Sequence, residues 1–281
     1  IFTSDFDSIL PKWWQNTYKK FSYQEDTKIL SDFAINGNIY APIPDLFLGS
    51  VQTENLTYRD VPIKYGDLII KGVNYCTEIA LKDVQTETGK AEGVIKITTK
   101  PDGIKYPESI RVNLRSELTI KSAQNLFGED TQKVFSNFDS DYTHKIDFES
   151  AYFNPHYTQH KNKSYYNLSI NSTHPFSFFN RPFNQLFAKV YGRNGEHYIR
   201  SASSEFANGQ LDFEADILET SSNDPQIRLN LKLSDSGYSQ CIQDIFQDEF
   251  DSVNFDELKQ LSLDLTLSSK GSLFYLTKHN G

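Results

Sequence analysis

Histidine clusters more suggestively than any other reactive residue type in this chain. Of six histidines, five fall between His144 and His197, the others in that group being His156, His160 and His174. His156 and His160 stand four apart, the spacing that sets two imidazoles on one helical face for zinc. Tyr157, Thr158 and Gln159 lie between them, so the glutamate that acts as base in a zinc peptidase is missing. Pro155 and the polar run after it read as a loop, and these histidines are expected to be solvated. Asn137, Asp139 and Asp141 alternate like the start of a calcium loop. The sixth and twelfth positions are Tyr142 and Phe148, where such a loop needs Gly and a bidentate Glu. No metal and no cofactor is expected.

Nucleophile and phosphate chemistry leave no better trace. Ser236-Gly237-Tyr238-Ser239 is not the Gly-x-Ser-x-Gly elbow, and neither a phosphate-cradling loop nor a dinucleotide fingerprint is present. The acids of a glycosidase come from distant parts of a chain, so the 37 acids here decide nothing by spacing. Cys76 and Cys241 make no CxxC pair; they read as separate thiols, with a single long-range bridge as the alternative. No catalytic residue is assigned. Aromatic density is the remaining signal, with 21 Phe and 16 Tyr. Exposed Trp and Tyr anchor interfaces or stack on sugars. Trp13, Trp14, Tyr157, Tyr165 and Tyr166 are the candidate binding residues on that ground, core packing being the ordinary alternative.

The formal charge of −9 and the absence of any Lys/Arg run argue against nucleic acid. The sequence has no Met, even at position 1, so residues upstream are expected to have been removed, as a leader or anchor, with simple trimming of the chain as the alternative. No apolar run reaches the length of a membrane helix. The four Asn-x-Ser/Thr triplets, at Asn55, Asn162, Asn167 and Asn171, carry meaning only in a eukaryotic secretory route.

The elements that would position these residues are mostly strands. Leu10, Trp14, Tyr18 and Phe21 recur at helical steps, predicting an amphipathic helix over 8–21. From Asn38 to Leu118 the period is two, with Gly49, Gly66 and Gly72 breaking the run into short strands. Thr77–Thr86 and Ala91–Thr99 flank a turn and read as a hairpin. Residues 121–138 read as an interrupted helix. Asn194-Gly195 and Asn208-Gly209 suit type I′ turns between alternating runs. Residues 237–250 read as another helix, and Leu261–Leu267 alternates before a turn at Ser269-Lys270-Gly271.

These readings predict an α+β fold, predominantly antiparallel β, in two β-rich lobes with a few amphipathic helices. Residues 1–140 would form an N-terminal helix and β-rich lobe, and 141–281 a β-meander lobe with a helix near 237–259. The leading functional expectation is a non-enzymatic extracytoplasmic structural or interaction protein: a surface, envelope or virion assembly component. It would work with protein partners or as a homo-oligomer, with its N-terminus near a membrane. A second expectation is a carrier for a lipid or other apolar ligand, its inner faces supplied by Val51–Ile63, Leu68–Tyr75 and Leu261–Leu267. A continuous Leu/Ile lining would favour it, and a filled core would count against it. A carbohydrate-active enzyme is the third, requiring two carboxylates about 5–10 Å apart.

Overall fold

The computed structural model describes residues 20–37, 46–100, 107–127, 138–157, 163–178, 180–193, 196–218, 226–237 and 262–272. The chain divides into two compact units: residues 1–118, 122–129 and 148–164, and residues 119–121, 130–147 and 165–281.

The first unit is a meander of long antiparallel strands, β1 (Phe21–Asn36), β2 (Leu46–Tyr58), β3 (Val61–Val73), β4 (Cys76–Thr86), β5 (Lys90–Thr98) and β6 (Ser109–Thr119). Each pairs with its sequence neighbour. Two-residue turns join β2 to β3 and β3 to β4, with both corner residues at positive φ: Arg59 and Asp60 at 48° and 63°, Asn74 and Tyr75 at 46° and 66°. That is type I′ geometry, whose twist matches the strands it joins. A short helix, α1 (Ile120–Phe127), follows β6.

The second unit repeats the plan. It contains β7 (Phe138–Asp139), β9 (Tyr165–Ser172), β10 (Phe176–Phe178), β11 (Arg181–Arg193), β12 (Glu196–Phe206), β13 (Gly209–Leu218), β14 (Gln226–Gly237) and β15 (Ser262–Ser272). Strand β9 pairs with β11, and β11 to β15 pair in sequence. The short β10 lies between β7 and the start of β11. The remaining strand, β8 (Thr143–Phe153), contributes residues 143–147 to this unit and 148–153 to the first. Two aromatic-rich clusters make the core of the second unit. One holds Phe206, Ala207, Leu211 and Leu233; the other holds Phe176, Leu186, Ala188 and Ala202, with Phe138, Phe178, Phe183 and Phe213 against it.

The expected α+β class is corrected by this architecture. The described residues are almost wholly antiparallel strand, and α1 is the one helix among them. Phe21, expected to end a helix, opens the 16-residue strand β1, a strand that sequence reading missed. The interrupted helix over 121–138 reduces to α1 within the described residues, and the chain is back in a strand at Phe138. The helix expected before residue 20 lies outside the described residues, as does the one expected over 237–250 except for Gly237, which closes β14.

Strand lengths need the same correction. Gly49, Gly66 and Gly72 do not end strands but sit inside β2 and β3. Likewise Ser269-Lys270-Gly271 is no turn, because β15 runs through it opposite Ile227–Leu229. The hairpin over Thr77–Thr99 stands as β4 and β5. Asn208-Gly209 does link antiparallel strands, but the corner falls one residue earlier. Ala207 and Asn208 take φ of 50° and 61°, and Gly209 already pairs with Phe206. Asn194-Gly195 lies outside the described residues, between strands paired through Arg193 and Glu196.

Candidate functional site

Side chains alternate across a strand, so paired residues in successive strands share a face of the sheet. In the first unit, Phe33, Gly49, Ile70, Ile79, Ile95 and Val112 stand opposite one another across β1 to β6. The next row on that face is Ile35, Phe47, Gly72, Thr77, Ile97 and Ile110. The reverse face is mixed: one row runs Ala34, Leu48, Lys71, Glu78, Lys96 and Arg111, and the next Asp32, Ser50, Ile69, Ala80, Val94 and Asn113, with Lys96 Nζ 2.8 Å from the Glu78 carboxylate. That pair holds the exposed Glu78 carboxyl below its ordinary range, though an ion pair so exposed adds little stability.

The second unit has the same two-sided character. Leu168, Val190, Ile199, Ala215 and Leu229 form a row across β9, β11, β12, β13 and β14, while the reverse face places Asn167, Tyr191, Tyr198, Asp216 and Arg228 together. On that polar face Tyr191 stacks on Tyr198 at 4.6 Å between ring centres. Arg200 lies over Tyr198 at 5.2 Å and pairs with Asp216.

A sheet with one apolar face normally buries it against another layer. Here most of the face stays only half-buried. Of the two apolar rows in the first unit, Ile97 and Gly49 are buried, whereas Phe33 and Ile35 are 52% and 69% exposed. In the second unit the buried residues gather toward the end where Phe138, Phe176 and Phe178 pack. Leu168, Val190, Ile199 and Leu229 remain half-buried.

Glycine is used on this face where a neighbouring ring crosses the backbone. A Cβ at Gly49 would run into the Phe33 ring, and one at Gly192 into the Tyr166 ring. Neither glycine has a positive φ, so each is needed for space rather than for backbone freedom.

Two polar pairs interrupt the apolar face of the second unit. His144 Nδ1 lies 2.6 Å from Ser172 Oγ, with the two residues 3% and 2% exposed. The spacing would suit a nucleophile and its base. The Ser172 hydroxyl, however, already donates to the His174 carbonyl and accepts the His174 N–H, both at 3.3 Å. The pair therefore ties down the chain leading into β10. His144 Nε2 is buried without a hydrogen-bond partner, and burial followed by the nearby His174 keeps this imidazole below its ordinary pKa. The second pair is Tyr166 Oη and His197 Nδ1, 2.7 Å apart. Burial pushes the Tyr166 phenol up and the His197 imidazole down, so both stay neutral at pH 7.

The residues singled out by sequence scatter over this frame. Tyr165 and Tyr166 are adjacent in β9 and point to opposite faces: Tyr165 is exposed, and Tyr166 reaches His197 across Gly192. Tyr157 lies in the turn after β8, with the Lys100 ammonium 4.5 Å above its ring. His156 donates its N–H to Asn154 Oδ1 at 3.0 Å in the same turn. Trp13, Trp14, His160 and Cys241 lie outside the described residues, and Cys76 is exposed. Among the described residues no three His, Cys, Asp or Glu side chains converge, and no helix is long and apolar enough to cross a membrane. Sequence reading missed the pairings His144–Ser172 and Tyr166–His197, because they join residues 28 and 31 positions apart. No family model, curated protein or solved structure matches the chain.

Proposed function

We propose that this chain is a carrier that holds a lipid or similar apolar ligand on the apolar sheet face of its units. The observation that carries the reading is the row Phe33, Gly49, Ile70, Ile79, Ile95 and Val112 across six paired strands of the first unit, which holds no polar side chain and whose large residues are half-buried or exposed. Contiguous apolar surface of this kind marks an interaction site, and burying an aliphatic ligand there releases about 25 cal/mol per Å². The repeat of the pattern in the second unit supports the same use. Extraction of the purified chain and mass spectrometry of the extract should yield an apolar small molecule, and a fluorescent acyl probe should bind the emptied protein. Ile95→Asp and Leu229→Asp should weaken probe binding at least tenfold, while Arg111→Asp on the reverse face leaves it unchanged. A folded chain that binds no acyl probe would overturn the reading.

A second reading, an assembly component, draws support from β1. Among the described residues it has a single neighbour, β2, and its Ile29, Leu30 and Ile35 are 52%, 64% and 69% exposed. Long apolar edge strands recruit further strands unless blocked. Sedimentation should then show concentration-dependent association that Leu30→Lys abolishes. A monomer at all concentrations would end this reading and leave the carrier reading standing.

A further inference from the structure

We infer that the polar face of the second unit binds a neutral saccharide, with Phe187 as the ring on which a sugar stacks. This use is independent of the carrier reading, which occupies the opposite face.

Register sets the face. Asn171, Phe187, Ser203, Asp212 and Lys232 form one row across β9, β11, β12, β13 and β14. The next row toward Tyr191 holds Ser169, Lys189 and Arg200, then Glu214 paired with Asn230. At this point the pairing of β12 with β13 shifts register between Ile199 and Ala202, and Ser201 takes a φ of 52°. A bulge of this kind re-aims the side chains around it. Beside it lies a groove of about 420 Å³, lined by Ser201, Ser203, Asp212, Glu214, Asn230 and Lys232 and floored by the residues between the two rows. It therefore opens on the polar face, and its volume falls within the range of about 300–1,000 Å³ that ligand sites occupy.

Aromatic rings stand on the same face. Phe187 is directly opposite Ser203 at the β11 end of the groove, and it is 37% exposed. Tyr191, four positions along β11 on the same face, is 39% exposed. Its neighbour Tyr198 is held in place, with its hydroxyl donating to Glu196 at 2.6 Å and Arg200 over its ring. Exposed rings set among hydrogen-bonding side chains suit a sugar, whose C–H face packs on a ring while its hydroxyls meet carboxylate, amide and ammonium groups.

Charge and backbone pairing exclude other ligand classes. Lys189, Arg200, Arg228 and Lys232 are offset on this face by Asp212, Glu214 and Asp216, and Arg200 is already committed to Asp216. A face so balanced draws neither polyanions nor polycations. The strands beneath, β12, β13 and β14, are paired on both sides, so an extended peptide finds no free sheet edge to join.

The test titrates the full chain, by calorimetry, with neutral hexasaccharides of glucose, mannose and N-acetylglucosamine and with a sulfated hexasaccharide. At least one neutral sugar should bind with a Kd below about 1 mM, and the sulfated sugar should bind more weakly. Phe187→Ala should weaken binding about fivefold or more, whereas Phe187→Tyr, which keeps the ring, should preserve it. Asp212→Ala should weaken it by about three- to tenfold, the value of one hydrogen bond. All three variants should leave acyl-probe binding on the opposite face unchanged, so failure of the carrier reading leaves this site standing. A wild-type chain that binds none of the neutral sugars overturns the inference. So does a preference for the sulfated sugar, or sugar binding that survives Phe187→Ala. Self-association that Phe187→Ala abolishes, without any sugar binding, reassigns the face to protein contact.

Discussion

Replacing Gly192 with Ala tests whether a ring truly lies across the backbone of β11. Gly192 has no positive φ, so alanine meets no backbone penalty there. A Cβ would collide with the Tyr166 ring, 2.7 Å from Cζ and 2.8 Å from Cδ1 besides a closer approach to Cε1. The ring must shift and lose its hydrogen bond to His197, worth about 1 kcal/mol net. Overpacking at a half-buried aromatic adds about 1–3 kcal/mol. Gly192→Ala should therefore destabilise the protein by about 2–4 kcal/mol. In a Tyr166→Ala background the obstruction is gone, and the same substitution should be neutral or stabilise by about 0.4–1 kcal/mol through the unfolded state. In a Tyr166→Phe background the ring remains, and the overpacking cost of about 1–3 kcal/mol should persist. Urea denaturation of the three pairs, at constant m-value, gives the coupling directly. Additivity of Gly192→Ala and Tyr166→Ala within about 0.5 kcal/mol would refute the ring-over-glycine arrangement.

The other expectations follow from the same geometry. His144 is held neutral by burial, so its folded pKa lies below the unfolded value. Its contribution is complete above the ordinary histidine range of about 6.5 and is lost as pH falls below it. Urea midpoints should drop between pH 7.5 and pH 5.5, and His144→Gln should flatten part of that dependence; an unchanged slope would remove His144 as the cause. Asn208→Ala places a side chain without local hydrogen bonding at φ of 61° and should cost about 1–2 kcal/mol, read as a lowered midpoint without change of m-value. Exposed Cys76 should react with a thiol reagent in the native protein without prior unfolding, and Cys76→Ser should remove that phase.

Strand content was legible in the sequence wherever local alternation was enough to specify it. The β4–β5 hairpin and the alternation of Leu263, Leu265 and Leu267 in β15 need only period-two patterning. Segment β1 failed that criterion. Asp26, Thr27, Lys28 and Ile29 do not alternate cleanly, and the pairing with β2 shifts register between Tyr23 and Lys28. A bulge of this kind erases the period that sequence reading depends on. The glycines misled in the opposite direction. A glycine that ends a strand and a glycine that admits a ring from the next strand are the same letter, and the difference lies in Phe33 or Tyr166, which are distant in sequence.

The same separation explains why the site was harder to read than the fold. An apolar face is the sum of many local alternations, and each strand announces its own share of it. A polar pair on that face depends on registers set by several turns in succession. Tyr166 reaches His197 only because β9, β11 and β12 are aligned so that Gly192 stands opposite both. A one-residue slip of β11 would put Tyr191 or Arg193 opposite them and turn the aliphatic rows to the charged side. Register here is therefore under two constraints at once, the apolar face and the Tyr–Gly–His row. That double requirement is why disturbing Gly192 should be felt in stability and in the Tyr166–His197 hydrogen bond together.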